Sequence, residues 1–373
     1  MVILSFESIS DYLWAMPHPD EGFSERVSRV REIIANRNLE AIVLRRNPNL
    51  AWFTGGRVHV PSAIDLACFD LIVTSDSLTV VTNAIEAPRL IAEELPNTIE
   101  VVVIPWWDGR DAQLPTGEKI GTDQPAANRS DVSLEIEMAR ASLTAFDAQR
   151  LEKISLDAAG ALGRAMKEVV YGDREIDVAG RITHALWESN LDTVFLGVAG
   201  ENRAHTIRHA LPTSEVIGGR VVASICARRK GLIASATRIV TFGPQNESDL
   251  RRYENLLEVE AALLDATVVG VAFKSAIETV QKAYPAYGFD PEEWTKHHQG
   301  GPTGYLPRDW PATQFTERLI ADAQPVSWNP TGSGWKVEDT WLTGSDGPVL
   351  LTQDSAWPSV ICNSRSRPGI LKR

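Results

Sequence analysis

The chain has 373 residues, 43% hydrophobic and 23% charged, with 26 Gly and 21 Pro. This is the composition of a globular protein with room for two domains, and it excludes collagen-like, disordered and small disulfide-stapled classes. Its 49 acidic and 37 basic residues give a formal charge of -12, so the average surface repels phosphate backbones and anionic membranes, and neither nucleic acid nor membrane is expected as a partner.

Phe23, Val27, Val30, Ile33 and Ile34 recur at three-to-four spacing and predict an amphipathic helix over 23–38. Short apolar runs at 41–44, 71–74, 78–81 and 101–104 predict strands, with a helix over 84–95 between the last two. The stretch 105–131, with Trp106-Trp107-Asp108-Gly109 and scattered Gly, Pro and Asn, has no steady period and is expected to be loop with short pieces of structure. Residues 1–137 therefore read as an α/β domain.

From about Ser142 the pattern changes. Leu151, Ile154, Ala158, Leu162 and Met166 predict a long helix, and Ile176, Ala179, Ile182 and Leu186 a second one ending near Asn190. Strands are expected at 194–196, 221–225 and 233–242. Helices at 250–264 and 277–283, a Gly-rich loop, and strands at 326–328 and 335–342 then repeat the order. Gly231, Ser235 and Thr237 are echoed at the same spacing by Gly334, Glu338 and Thr340. Residues 138–373 are accordingly expected to fold as two helix, helix, hairpin units of about 100 residues, with single polar residues of corresponding strands pointing into a shared cleft.

The chain has only seven histidines, so their placement is informative. His205 and His209 lie in a polar loop that ends at Pro212-Thr213, and His297 and His298 open the stretch Gln299-Gly300-Gly301-Pro302-Thr303-Gly304. An imidazole on a cleft-lining loop, with an ordinary pKa of about 6.5, suits a general acid or base. Each histidine taken alone also fits a surface or structural role, and Glu338 alone also fits a solvated strand. Three widely spaced cysteines, Cys68, Cys226 and Cys362, lack CxxC spacing and fit buried thiols. No apolar run nears the roughly 20 residues of a membrane span, and Glu7 stands where a leader would be basic, so the expected location is cytoplasmic.

The element order resembles the creatinase, prolidase and aminopeptidase P family, the pita-bread proteins. The residues that carry the resemblance are the helix and Leu39-Glu40-Ala41-Ile42-Val43-Leu44 followed by Trp52-Phe53-Thr54-Gly55; His209 with Pro212; Gly218-Gly219; Thr237-Arg238; His298; and Gly334-Trp335-Lys336-Val337-Glu338-Asp339-Thr340. It covers nearly the whole chain. The implied fold is an α/β N-terminal domain followed by an α+β pita-bread domain of two pseudo-twofold-related helix-helix-hairpin units. Peptidase members hold two divalent metals through two Asp, one His and two Glu. Carried over by position, those ligands fall on Ser224, Ser235, His298, Asn329 and Glu338. With three of four carboxylates missing, the pull on hard cations is largely lost, so no metal or other cofactor is expected.

Creatinase hydrolyses a guanidino C-N bond without metal, with a histidine matching His209 as proton carrier. The resemblance thus implies a metal-independent hydrolase of a C-N bond in a small anionic amidine, guanidino or amide compound. His209 would shuttle the proton, while Glu338 and His298 would orient a cationic or N–H-bearing part of the substrate. Substrate contacts are expected from Ser224, Ser235 and Asn329, and from two cations, Lys336, which shares a strand face with Glu338, and Arg229; the Arg228-Arg229-Lys230 run also reads as a solvated turn. Tyr305, with Arg308, Asp309 and Trp310, would wall the pocket. Arg57 and His59 lie in a loop that in creatinase-like dimers reaches the neighbouring subunit's site, so a homodimer is expected. Trp294, Trp310, Trp328, Trp335 and Trp341 fit either pocket walls or core. Two other readings stay open: a peptidase-like binding protein without catalysis, and an Xaa-Pro-type metallo-aminopeptidase with ligands elsewhere.

Overall fold

Backbone contacts divide the chain into two units, Met1–Arg150 and Leu151–Arg373, and a computed structural model describes residues 22–58 and 65–373. In the first unit α1 (Phe23–Asn36) forms where its apolar stripe predicts, burying Phe23, Val27, Val30, Ile33 and Ile34. It is followed by β1 (Ala41–Arg46), α2 (Asn47–Thr54), β2 (Leu66–Thr74) and β3 (Leu78–Asn83). The helix expected over 84–95 shrinks to α3 (Ala87–Arg89), with Pro88 near its start, and a π turn at Leu90–Glu94 before β4 (Glu100–Ile104).

The stretch expected to be mainly loop holds β5 (Gly117–Thr122) and β6 (Arg129–Asp131), and α4 (Ser133–Ala141) follows. The sheet order is β4-β3-β2-β1-β5-β6, with β5 parallel to β1. A segment without a readable period therefore supplies an inner strand. Its glycine is the reason: a Cβ on Gly121 would lie 2.9 Å from the Ile42 and Leu39 side chains, so close packing favours a residue of poor strand propensity. α4 straddles residue 137 and packs on α1 and α2, which places it with the first unit.

A buried ion cluster ties this unit together. Arg26 donates to both Asp147 oxygens at 3.0 and 2.9 Å, Arg150 donates to Asp147 Oδ1 at 3.1 Å, and all three residues are buried. The same guanidinium groups reach the end of α2 through the carbonyls of Phe53 and Gly55. Asp147→Ala would leave two buried cations without their carboxylate and is expected to destabilise the fold by about 3–5 kcal/mol. Urea unfolding checks this: the midpoint should fall with little change in slope.

The second unit takes up α5 (Ala145–Lys167) from Leu151 onward. Next come α6 (Glu175–Glu188), β7 (Asp192–Gly200), α7 (Glu201–Thr206), β8 (Arg220–Arg229) and β9 (Leu232–Thr241). Then follow α8 (Glu247–Asp265), α9 (Phe273–Ala286), β10 (Gly300–Pro302), β11 (Pro325–Trp328), β12 (Thr331–Gly332), β13 (Trp335–Lys336) and β14 (Asp339–Leu342). The chain ends with β15 (Val349–Leu350), β16 (Ser359–Cys362), β17 (Arg365–Pro368) and β18 (Leu371–Lys372). One sheet runs β18-β9-β8-β7 and another β10-β11-β14-β15.

Lys230 and Gly231, with φ of 46° and 87°, turn β8 into β9 between the paired Arg229 and Leu232, the left-handed pair that a tight two-residue hairpin needs. The two sheets touch through their echoing stretches. Ser235 N donates to Thr340 Oγ1 at 2.7 Å, Thr340 Oγ1 donates to Ser235 O at 3.0 Å, and Thr237 N donates to Glu338 O at 2.8 Å. The strand expected from Trp335 to Leu342 is interrupted at Val337 and Glu338. The Gly-rich stretch expected as loop contains β10, where Gly300 has φ +119° and a Cβ would collide with the Ser327 carbonyl of β11.

α8 and α9 bury Leu256, Leu263, Phe273, Ile277 and Tyr284 against Trp328, Trp335 and Trp341. Those three tryptophans are at most 2% exposed, so core packing is their main role. The cysteines are buried thiols, and burial pushes Cys68 up to about 11. Among the described residues no helix is long and apolar enough to cross a membrane.

Candidate functional site

Three histidines from two separate loops converge. Val198 N on β7 donates to the Ala210 carbonyl at 3.0 Å, holding the loop that carries His209. His297 and His298 follow a short 3-10 turn at Glu293–Lys296 and lead into β10. His209 Nε2 lies 2.9 Å from His297 Nε2, and the His297 ring stacks on His298 with centroids 4.4 Å apart. His297 Nδ1 is 2.5 Å from the His298 carbonyl. A carbonyl only accepts, so His297 carries its proton on Nδ1 and its Nε2 accepts from His209 Nε2–H. His209 is left with its lone pair on Nδ1.

Burial holds all three imidazoles below their ordinary pKa. His297 is lowered to about 2 by burial and then by Lys336, and His298 to about 4 by burial and then by Arg308. His209, the most open of the three, is lowered by burial and by Lys336 against the pull of Glu338. Burial thus favours the neutral form of all three.

Glu338 is the focus of the charge. Arg308 Nη2 donates to its Oε1 at 2.6 Å and Lys336 Nζ to its Oε2 at 2.8 Å, while Ser327 Oγ lies 3.4 Å from Oε1. Burial opposes its ionisation, but the ammonium and guanidinium outweigh that and hold the carboxyl at about 2. Lys336 and Glu338 do share the site, as their spacing predicts. Glu338 thus carries one cation on each oxygen.

Ser224 lines a pocket with Lys336, and its Oγ is 2.7 Å from Thr237 Oγ1. Ser235 is fully buried, its hydroxyl directed to Cys226 Sγ at 3.3 Å. Asn329 follows β11, its backbone N–H donates to the Gln299 carbonyl at 2.9 Å, and its Oδ1 is buried without a hydrogen bond. Tyr305 is buried just beyond the Gly-rich segment.

Arg229 does not join the site. It lies an odd number of residues from Ser224 on β8, hence on the opposite face. Its guanidinium pairs with Asp157 at 2.8 Å and donates to the carbonyls of Ser189 and Asn190. In the first unit Arg57 is paired with Glu94, through its Nε at 2.9 Å and its backbone N–H at 2.7 Å. His59 lies outside the described residues.

The pocket beside His209 is small, with a cavity volume of about 40 Å³, and has Arg208 and Ala210 from either side of the histidine in its walls, together with Phe195, Ser224, Trp335 and Lys336. A wider cleft of about 360 Å³ opens along His297 and His298, bordered by Trp294, Pro311 and Phe315.

The residues present do not fit a pair of hard divalent ions. Both oxygens of Glu338 face cations, and the hydroxyls of Ser224 and Ser235 are engaged with Thr237 and Cys226. Two further positive ions beside Arg308 and Lys336 would be repelled where the ligands supply one negative charge. Two participants were missed in sequence. His297 was visible in the His-His pair, but nothing in one sequence says which of the two bonds to His209. From sequence Arg308 reads as a wall residue; its pairing with Glu338, 30 residues away, follows from a chain reversal that periodicity does not encode.

Residues 149–342, more than half of the chain, match the metallopeptidase family M24. An Xaa-Pro dipeptidase of Pyrococcus horikoshii is 22% identical over 353 residues, covering 88% of this chain and 97% of its own. A solved prolidase from Pyrococcus horikoshii has a TM-score of 0.75 at 19% identity, over 88% of this chain and 98% of that one. A solved Xaa-Pro dipeptidase from Bacillus anthracis has a TM-score of 0.76 at 14% identity, over 94% and 100%. The family match spans His209, His298 and Glu338 alike, and on it the chain belongs to metallopeptidase family M24, the family of creatinase, prolidase and aminopeptidase P.

Proposed function

We propose that this protein is a hydrolase of a C-N bond in a small anionic amidine, guanidino or amide compound, and that it works without paired divalent ions. Membership of a hydrolase family supports the reaction class. The observation that carries the finer reading is Glu338 clamped between Arg308 and Lys336, beside a neutral histidine with a free Nδ1 lone pair. Two cations against one carboxylate leave one positive charge, which matches one anionic group of a substrate.

In this reading His209 Nδ1 takes a proton from water as the water oxygen bonds to the amidine or carbonyl carbon. The imidazolium keeps its Nε2–H bond to His297 throughout. The adduct then collapses, the C-N bond breaks with its electron pair on nitrogen, and His209 returns the proton to that nitrogen. Ser224 and Lys336 hold the polar end of the substrate in the pocket. The doubled architecture belongs to the same reading: the residue pairs Ser235–Thr340 and Thr237–Glu338, which exchange under the sequence echo, are both bonded, and this supports a pseudo-twofold relation of the two units.

A screen of guanidino, ureido and cyclic amidine carboxylates, read by released amine, comes first. With the substrate in hand, chelator-treated protein is expected to retain full turnover. Activity that disappears on chelation and returns with two equivalents of Mn²⁺ overturns the proposal.

A further inference from the structure

We propose that His209, His297 and His298 bind one zinc-class ion (Zn²⁺, Co²⁺, Ni²⁺ or Cu²⁺), in a site that shares only His298 with the ligand positions of the family, and that the bound ion silences His209. One nitrogen from each ring lies within 4.8 Å of the other two. A tetrahedral ion at about 2.0–2.1 Å from each imidazole sets its nitrogens about 3.3 Å apart. The 2.9 Å between the Nε2 atoms of His209 and His297 needs to open slightly, and the wider separations to close, by side-chain rotation of loop residues.

Two features favour an ion over a chance meeting of rings. His297 donates Nδ1–H to the His298 carbonyl, the outer hydrogen bond that fixes a ligating imidazole with its Nε2 lone pair forward. His298 Nδ1 is buried and has no hydrogen bond, and a buried polar atom calls for a partner. The cleft bordered by Trp294 and Phe315 gives a way in. Three neutral imidazoles with one open position select borderline metals over Mg²⁺, Ca²⁺ and Mn²⁺. Glu338 offsets one of the two nearby cations.

The consequence for chemistry follows from proton positions. An ion between the two Nε2 atoms takes the place of the proton that His209 donates to His297; the neutral ring then carries that single proton on Nδ1 instead, so His209 has no lone pair left and ceases to be a base. Binding rests on the geometry alone; inhibition rests in addition on the hydrolase reading.

Chelator-treated full-length protein titrated with Co²⁺ tests the site. The expected result is one equivalent bound with the intense visible bands of a four-coordinate ion, removed by Zn²⁺. His297→Ala and His298→Gln should each weaken binding by more than about tenfold, and His184→Ala, on the exposed face of α6, should not. Circular dichroism checks the fold, and His209→Ala, at an exposed position, serves if the other two variants misfold. Weak octahedral bands, binding indifferent to all three histidine variants, or two equivalents lost in Glu338→Gln overturn the site while leaving chelator-resistant turnover to stand or fall separately. Zn²⁺ is expected to inhibit in step with occupancy; turnover that rises with the first equivalent overturns the silencing of His209.

Discussion

Replacing His209 by alanine is expected to lower kcat by about 100- to 10,000-fold, the usual contribution of a positioned acid or base, with KM changed only a few-fold because the pocket walls stay in place. The residue is exposed, so the substitution leaves no core cavity and the fold should survive. The pH profile separates a proton carrier from a residue that merely shapes the loop. Burial and Lys336 outweigh Glu338 in holding the His209 pKa below its ordinary 6.5, so the acid limb of kcat/KM should fall below that pH, and Lys336→Met should move it upward. A His209→Ala protein with full turnover of the identified substrate would sink the proposed proton path. An acid limb unmoved by Lys336→Met would remove the electrostatic account of it.

The parts of the structure that could be read in sequence are those whose signal is local. α1, α6 and α9 repeat an apolar stripe at helical spacing, and the β8–β9 hairpin announces itself by two apolar strands around Lys230-Gly231. β5 and β10 were hidden because glycine, chosen for close approach to Ile42 and to the Ser327 carbonyl, erases the alternating pattern of a strand. The site divides in the same way. Lys336 and Glu338 are two residues apart and meet. Arg229 adjoins Lys230 in a basic run, yet alternation sends it to the opposite face and Asp157 takes its charge. The histidine cluster depends on a loop after β7 meeting a loop before β10, 88 residues later, and only the fold as a whole brings those two together.

Glu338→Ala is expected to cost about 3–5 kcal/mol of stability, because it leaves Arg308 and Lys336 desolvated and unneutralised. The sign of the pH dependence is fixed by the carboxyl itself. Its folded pKa of about 2 lies below the ordinary 4.5, so its contribution is fully present above pH 4.5 and is lost as the pH falls through 2. The stability gap between wild type and Glu338→Ala should therefore be wide at pH 7 and narrow between pH 4.5 and 2, measured by denaturant midpoints. The double variant Glu338→Ala with Lys336→Met should recover part of the loss, since one stranded cation has been replaced by an apolar side chain of similar length. If the single variant is as stable as wild type at pH 7, the two cations are solvated and the clamp exerts no force. In that case the strongest argument against a second ion beside Glu338 goes with it, and the paired-metal chemistry of the family returns as the simpler reading of the site.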